Sequence, residues 1–329
     1  MNLKLSIIIC TFNRAENLNK CLSAITEQSF TNFEVIVVDG GSDDRTNEVI
    51  DKFSKKLFIK KVVDTRKELA RVRDRGWQEA KGELVVWIDD DVVVSQDWAR
   101  SIVEILDKHP NIAGISGPTI VKKELLKKRD VFSFYHKKGL VALFGKFWNW
   151  FFLENGKHEV GRIFKSGAWS PGSNFPQSLE IKGLKNVDYL EACNMTLRRK
   201  LVKQVNGFDY GYKEVGEWSE LDLCIRVKNL GYNLVFSSRV MVNHNISQAG
   251  VYPRRKQAKQ RMENFFKFYF THIFKPQLNY IFKFSSYILF LNTYWLYKAI
   301  TMKNLNWLSG WTGTITGLKF IKRAKQIKT

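Results

Sequence analysis

Acids nearly vanish from the last quarter of this 329-residue chain. From Arg254 to Thr329 there are 15 Lys and Arg residues against one acid, Glu263, a net of +14. That stretch holds two-thirds of the formal +21, and its partner is expected to be anionic: a membrane surface or a nucleic acid. Cysteine is also scarce. Cys10, Cys21, Cys193 and Cys224 show no paired metal spacing, which speaks against a zinc module. They suit small core residues in a reducing compartment. No long uncharged run appears either. Within Tyr280–Ile300 the stretch free of charge, Phe284–Tyr297, has 14 residues, short of the ~20 that span a bilayer. There is no internal repeat and no low-complexity block. Met1–Lys4 leads straight into a strand-like run, so no signal peptide is expected.

What is present centres on Leu84 to Val94, Leu-Val-Val-Trp-Ile-Asp-Asp-Asp-Val-Val-Val. The apolar run Leu84–Ile88 suits a strand buried on both faces. A continuing central strand would not bury three adjacent acids, because unpaired charge is costly to desolvate. The chain therefore leaves the sheet at Asp89–Asp91, at the carboxyl edge where open parallel sheets bind ligands. Asp89 and Asp91, two apart, can share one hard divalent cation that also takes phosphate oxygens. An isolated Asp-x-Asp is more often only an acidic turn; the surroundings change that.

Strands are expected at Leu5–Cys10, Glu34–Val38, Leu57–Val63, Leu84–Ile88 and Ile112–Ser116. Helices fall between them at Ala15–Gln28, up to Phe53 with Asp43 or Asp44 as cap, at Glu68–Ala80 and at Trp98–His109. This alternation predicts a right-handed, mostly parallel α/β sheet. Beyond Gly117 the pattern weakens. Phe132–Phe152, rich in aromatics and Lys, reads either as a partly buried helix with loops or as an acceptor- or membrane-contacting lobe. Order returns with Asp188–Cys193, a helix at Arg199–Val205, the turn Asn206–Asp209 and a helix at Glu220–Leu230. Strands follow at Asn233–Ser237 and Val240–Val242, with His244 after them.

Five ordered motifs now stand together. They are Ser6-Ile-Ile-Ile-Cys-Thr-Phe-Asn-Arg14, Val37-Val-Asp-Gly-Gly-Ser-Asp-Asp-Arg-Thr46, Ala70-Arg-Val-Arg-Asp-Arg-Gly76, Trp87-Ile-Asp-Asp-Asp91 and Asn206-Gly-Phe-Asp209. With the acid-bearing helix start Glu217-Trp-Ser-Glu-Leu-Asp-Leu223, they resemble the family 2 glycosyltransferases over about residues 5–245. The resemblance implies a GT-A fold, Rossmann-like, with a mostly parallel sheet flanked by helices. The chain then divides into a nucleotide-sugar-binding half, 1–116, and an acceptor-binding and catalytic half, 117–249. A basic, aromatic helical extension at 250–329 lies outside the resemblance and is expected to associate with membrane.

The resemblance also implies roles. Thr11, Phe12, Arg14 and Asp39 would hold the nucleotide base and ribose; many members have a second acid where this chain has Gly40. Arg73 would face the diphosphate. Asp89 and Asp91 match the metal motif for Mg²⁺ or Mn²⁺, with Asp90 in its variable middle position on the donor side. His244 matches a histidine that closes the metal or diphosphate site. Glu220 takes the position of the base, with Ser219 replacing the first acid of the usual pair. Asp222 and Glu217 are the alternatives for the base, and Asp222 equally suits a helix brace. The implied activity is hexosyl transfer with inversion, from a nucleotide-sugar donor to a glycan or lipid-linked acceptor in cell-surface glycan synthesis. A cytoplasmic protein peripheral to the cytoplasmic face of the membrane is expected.

Three arrangements are open to 280–300: a spanning helix with snorkelling lysines, an interfacial helix, or one packed on the catalytic domain. The interfacial one fits the Trp, Tyr and Lys content best. Two rival functions fit less well. A nucleotidyltransferase shares strand-end carboxylates but needs a Gly-rich basic loop near the N-terminus, which is absent. A nucleic-acid binder is disfavoured because Asp89–Asp91 repels phosphate and no RNA or DNA motif appears.

Overall fold

The computed structural model describes residues 3–66, 68–122, 140–214, 216–246, 258–301 and 303–321. Its frame is an eight-stranded sheet. The parallel strands β1 (Leu5–Thr11), β2 (Phe33–Asp39), β3 (Ile59–Val63) and β4 (Leu84–Asp89) lie in the order β3-β2-β1-β4. Between them run α1 (Ala15–Thr26), α2 (Thr46–Ser54) and α3 (Leu69–Gln78). These strands are apolar throughout because both faces are covered. Ile7, Ile9, Val86 and Ile88 join one core with α1 and α4 (Trp98–Lys108), while Ile8, Val85 and Trp87 join another with α3.

A short β5 (Val92–Val94) follows the acids, then β6 (Ile112–Ser116) and β7 (Thr119–Ile120). Helix α5 (Leu140–Phe151) precedes β8 (Lys185–Val187), β9 (Asn194–Arg198), α6 (Arg199–Gln204), α7 (Ser219–Lys228), β10 (Asn233–Phe236) and β11 (Val242–His244). Strand β9 runs antiparallel between β4 and β6, and β10 and β8 complete that edge. One sheet thus runs through residues from both sides of position 117. Strands β5, β11 and β7 make a second, small sheet.

Ordered structure does return at 188–193, as a turn in which Asp188 donates its backbone N–H to Gly161 O and accepts from the Ile163 N–H. One local expectation changes. His244 lies inside its strand rather than after it. Val240 closes a turn onto Ser237, and pairing with β5 and β7 begins only at Val242. The expected cap of α2 is Asp44, which does double duty. Its Oδ1 accepts from Thr46 N (3.0 Å) and its Oδ2 from Ala15 N (2.9 Å), so one carboxylate serves the first turns of α1 and α2.

The C-terminal region packs as helices. These are α8 (Ala258–Phe268), continued by a π-helical turn, Tyr269–Ile273, then α9 (Leu278–Thr301) and α10 (Ser309–Gly317). Gly310, Gly313 and Gly317 are contact points: a Cβ on Gly313 would stand 2.2 Å from the Lys259 carbonyl oxygen on α8. Among the described residues no helix is long and apolar enough to cross a membrane, which sets aside the spanning arrangement for 280–300. Helix α9 instead buries Phe284, Trp295 and Ala299 on one side and exposes Leu278, Phe282, Leu289, Leu296 and Ile300 on the other. Of the aromatic segment 132–152, residues 132–139 lie outside the described residues, as does the compositional boundary near Gly250.

Candidate active site

Strand register brings the expected residues to one edge. Thr11 pairs with Asp39 and Cys10 with Asp89, so three strand ends finish level. Immediately beyond, the chain turns through Asp90 and Asp91 into β5. That strand pairs with β11 and sets His244 opposite Val92. His244 Nε2 lies 3.0 Å from Asp91 Oδ1 and 3.9 Å from Asp89 Oδ2. Ligand atoms of Asp89, Asp91 and His244 all fall within 4.8 Å of one another. Two carboxylates and an imidazole are a hard, oxygen-rich donor set that suits a divalent cation with room for phosphate oxygens.

Arg73, buried on α3, reaches the same place. Its guanidinium lies 3.6 Å from Asp89 Oδ1 and 3.8 Å from Glu220 Oε2, bridging the metal group and the start of α7. Burial opposes its charge, but Glu220 and Asp89 outweigh that and hold its pKa above the ordinary arginine value.

Arg14, Thr11 and Asp90 behave differently from the donor contacts expected of them. Arg14 ion-pairs with Asp90 (2.7 Å) and with Asp91, and Thr11 Oγ1 donates to Asp90 Oδ2 at 2.7 Å. Asp90 is 1% exposed. Burial pushes its carboxyl up to about 7, with Arg14 and Thr11 pulling the other way. From beneath this network Asp90 holds the turn, Asp91 is buried beside it against Arg14, and Asp89 carries the more open carboxylate. Asp39 is partly committed as well: its Oδ1 accepts from Ser42 N and Oγ, and Lys61 lies 3.6 Å from Oδ2. The Phe12 ring packs on the bare Cα of Gly40, where a Cβ would come within 3.1 Å. A side chain at position 40 would require Phe12 to shift by a few tenths of an ångström.

Glu220 and Asp222 are separated by environment. Glu220 keeps part of its surface open, facing Arg73 and within 3.4 Å of Ser219 Oγ. Asp222 is 3% exposed, held by Arg226 at 2.7 Å, His272 at 2.7 Å and Tyr212 at 3.4 Å. Burial pushes its carboxyl up, but His272 and Arg226 more than offset that and hold it below the usual range. Glu217 is paired with Arg261 at 2.6 Å.

Three features were missed by sequence reasoning. Asp74 accepts from the Phe208 N–H, Trp77 Nε1 and Tyr210, so the Ala70–Gly76 motif holds the Asn206–Asp209 turn. The pairing of the two motifs hints at this. Glu191 stands over the same edge, bonded to Ser173 and Asn174, because Asn194 pairs with Ile88 and residues 191–193 run on past it. Burial raises the Cys193 thiol, and Glu191, Asp89 and Asp91 add to the shift. His272 is the third, and no local pattern marks it, since its partner is 50 positions away.

Comparison with known proteins agrees with this geometry. Residues 6–161 match the model described as Glycosyl transferase family 2. A glucosyl-dolichyl phosphate glucuronosyltransferase of Haloferax volcanii is 22% identical over 255 residues, 74% of this chain and 70% of that protein. Two other curated glycosyltransferases match over shorter spans, 32% and 26% of their own lengths. Among solved structures, Staphylococcus aureus TarS 1–349 with UDP aligns over 91% of this chain and 73% of its own, at 16% identity and TM-score 0.55. Mannosyltransferase PcManGT of Pyrobaculum calidifontis, solved with GDP-Man and Mn²⁺, aligns over 96% and 86%, again at 16% and 0.55. The motif order, the level strand ends and these matches support a family 2 glycosyltransferase of GT-A fold.

Proposed function

We propose that this enzyme transfers a hexose, with inversion and divalent-metal assistance, from a nucleotide-sugar donor to a glycan or lipid-linked acceptor. The observation that carries the reading is the line of groups Asp91, His244, Asp89, Arg73 and Glu220 along one sheet edge. Asp89, Asp91 and His244 would hold Mg²⁺ or Mn²⁺. Bound there, the ion would neutralise charge on the departing nucleoside diphosphate. Arg73 faces the diphosphate, and Asp39 and Phe12 face the nucleoside. Glu220 takes the proton of the acceptor hydroxyl as its oxygen bonds to the anomeric carbon. The bond from that carbon to the diphosphate oxygen breaks, and the electron pair leaves with the diphosphate. Direct attack from the opposite face inverts the centre without an enzyme nucleophile.

A lipid-linked acceptor in cell-surface glycan synthesis is supported by the name of the Haloferax relative and by the enzyme's own surface. Leu278, Phe282, Leu289, Leu296 and Ile300 recur at helical intervals on α9, and Leu143, Phe147 and Trp150 do so on α5. Ring contacts join the two helices: Phe282 meets Phe151 (5.8 Å), which stacks on Phe147 (5.4 Å). Lys146, Lys275, Lys303 and Lys319 are also exposed, and an apolar face with cations suits an anionic bilayer at its cytoplasmic surface.

Two measurements test the reading. Across UDP-, GDP- and dTDP-sugars, slow hydrolysis of one nucleotide class is expected, lost in EDTA and restored by Mg²⁺ or Mn²⁺. No turnover of any nucleotide sugar, or nucleotidyl transfer in its place, would overturn the assignment. For the membrane face, Phe147→Ser with Phe282→Ser should lower binding to anionic liposomes about tenfold or more. The expectation follows from losing the exposed part of two phenylalanine side chains, a fraction of the roughly 1.5–3 kcal/mol that full burial of each would contribute. High salt alone should release only part of the parent protein. An intact protein that ignores anionic liposomes would refute the proposed face.

A further inference from the structure

Among the polar contacts of the C-terminal helices with the catalytic half, four fall along 209–222, the segment that carries Glu220. Lys267 of α8 pairs with Asp209 at 2.6 Å. Asn264, one turn earlier, accepts from the Lys213 N–H and donates to the Lys213 carbonyl oxygen. Arg261, one turn earlier again, pairs with Glu217 at 2.6 Å. His272 in the π-helical turn lies 2.7 Å from Asp222. The first three recur every three residues, so one face of α8 runs along 209–217. The π turn changes the helical phase and swings His272 onto Asp222, the next anchor.

Glu220 sits between the last two contacts, with Glu217 fixed before it and Asp222 after it. Its backbone start is strained: Trp218, just before α7, has φ of 70°, a conformation few non-glycine residues adopt without support. The two supports differ in exposure: Asn264 is 2% exposed, while the Arg261 side chain is a third exposed and is held by its 2.6 Å pair with Glu217. Trp218 itself packs against Phe265 of α8, with ring centroids 5.4 Å apart.

We propose that the C-terminal helices complete the active site. Helix α8 and its π turn hold the loop that presents Glu220, and His272 is a positioning residue acting through Asp222. The identity of Glu220 as base rests on the proposed function; the holding of the loop does not. A base displaced by about 1 Å loses on the order of 10²-fold in rate, so the contact is worth reading kinetically.

The experiment uses the full-length enzyme with the nucleotide sugar that the hydrolysis panel selects and compares His272→Ala, His272→Gln and Glu220→Gln. His272→Ala should lower kcat about 10- to 100-fold at saturating donor. Its KM for donor should stay within about twofold, since His272 contacts no donor-edge group. His272→Gln places an amide N–H near the imidazole Nε2 and should recover most of kcat. Unchanged kcat in folded His272→Ala overturns the proposal. So does a loss that follows melting temperature alone and is not rescued by Gln. If Glu220→Gln turns over normally, the base has been misassigned, while the His272 pair still reports on the loop.

Discussion

Asp91→Asn is expected to abolish divalent-dependent donor binding and to lower transfer roughly 10²–10³-fold. The magnitude comes from the several kcal/mol of charge stabilisation a bound ion supplies, at about 1.4 kcal/mol per decade. Asparagine keeps the size and one acceptor oxygen. Arg14 also retains its second partner, Asp90, at 2.7 Å. The fold should therefore survive, with melting shifted by only a few degrees, as expected for about 1 kcal/mol in a chain of this size. What is lost is the charge 3.0 Å from His244. Asp89→Asn should be milder. Its side chain is 28% exposed against 5% for Asp91, so water can take over more of its ligand role. Isothermal titration of donor with and without Mn²⁺ separates binding from chemistry. Full turnover of Asp91→Asn in EDTA would sink the metal assignment. A collapse in melting temperature with metal dependence intact would make Asp91 a partner of Arg14 only.

The cluster of Asp89, Asp91 and His244 shows what the sequence could reveal of this edge in advance. Asp89 and Asp91 are two positions apart beyond an apolar run, and their chemistry follows from the edge of a sheet that alternation alone predicts. His244 was placed near them by resemblance, and its strand, off by two residues, comes from pairing with β5 and β7 that no local pattern encodes. Burial changed other roles. Thr11, Arg14 and Asp90 are expected at the donor by resemblance, and in the structure they contact one another, because a buried carboxylate needs a cation and a donor close by. The extension after residue 250 read as an appendage because its composition shifts sharply. The structure instead splits it by face: Arg261, Asn264, Lys267 and His272 point into the catalytic half, while the apolar side of α9 remains open. Composition averages over both faces of a helix, and only packing tells them apart.

Glu220→Gln is expected to lower transfer by roughly 10²–10⁴, the usual contribution of a positioned base, with donor affinity nearly unchanged. Glutamine preserves length and hydrogen-bonding reach but cannot take a proton. Its neutral amide should also leave Arg73 with Asp89, 3.6 Å away, so the donor side keeps its cation. Asp222→Asn is the matched comparison, one residue beyond Leu221 on the same helix. There the carboxylate is buried between Arg226 and His272. Removing its charge leaves a partly unpaired cationic site, a loss of about 3 kcal/mol in stability by the usual cost of breaking a buried pair. The two variants should thus separate cleanly. Glu220→Gln melts like the parent and fails in chemistry, while Asp222→Asn melts early and retains measurable transfer below its transition. Ser219 in place of the first acid of the pair gives the opposite outcome a clear meaning, because a helix rotated by position would bring Asp222 to the acceptor. Should Asp222→Asn abolish transfer in a stable protein while Glu220→Gln stays active, Asp222 is the base and its pairing with His272 is catalytic rather than supporting.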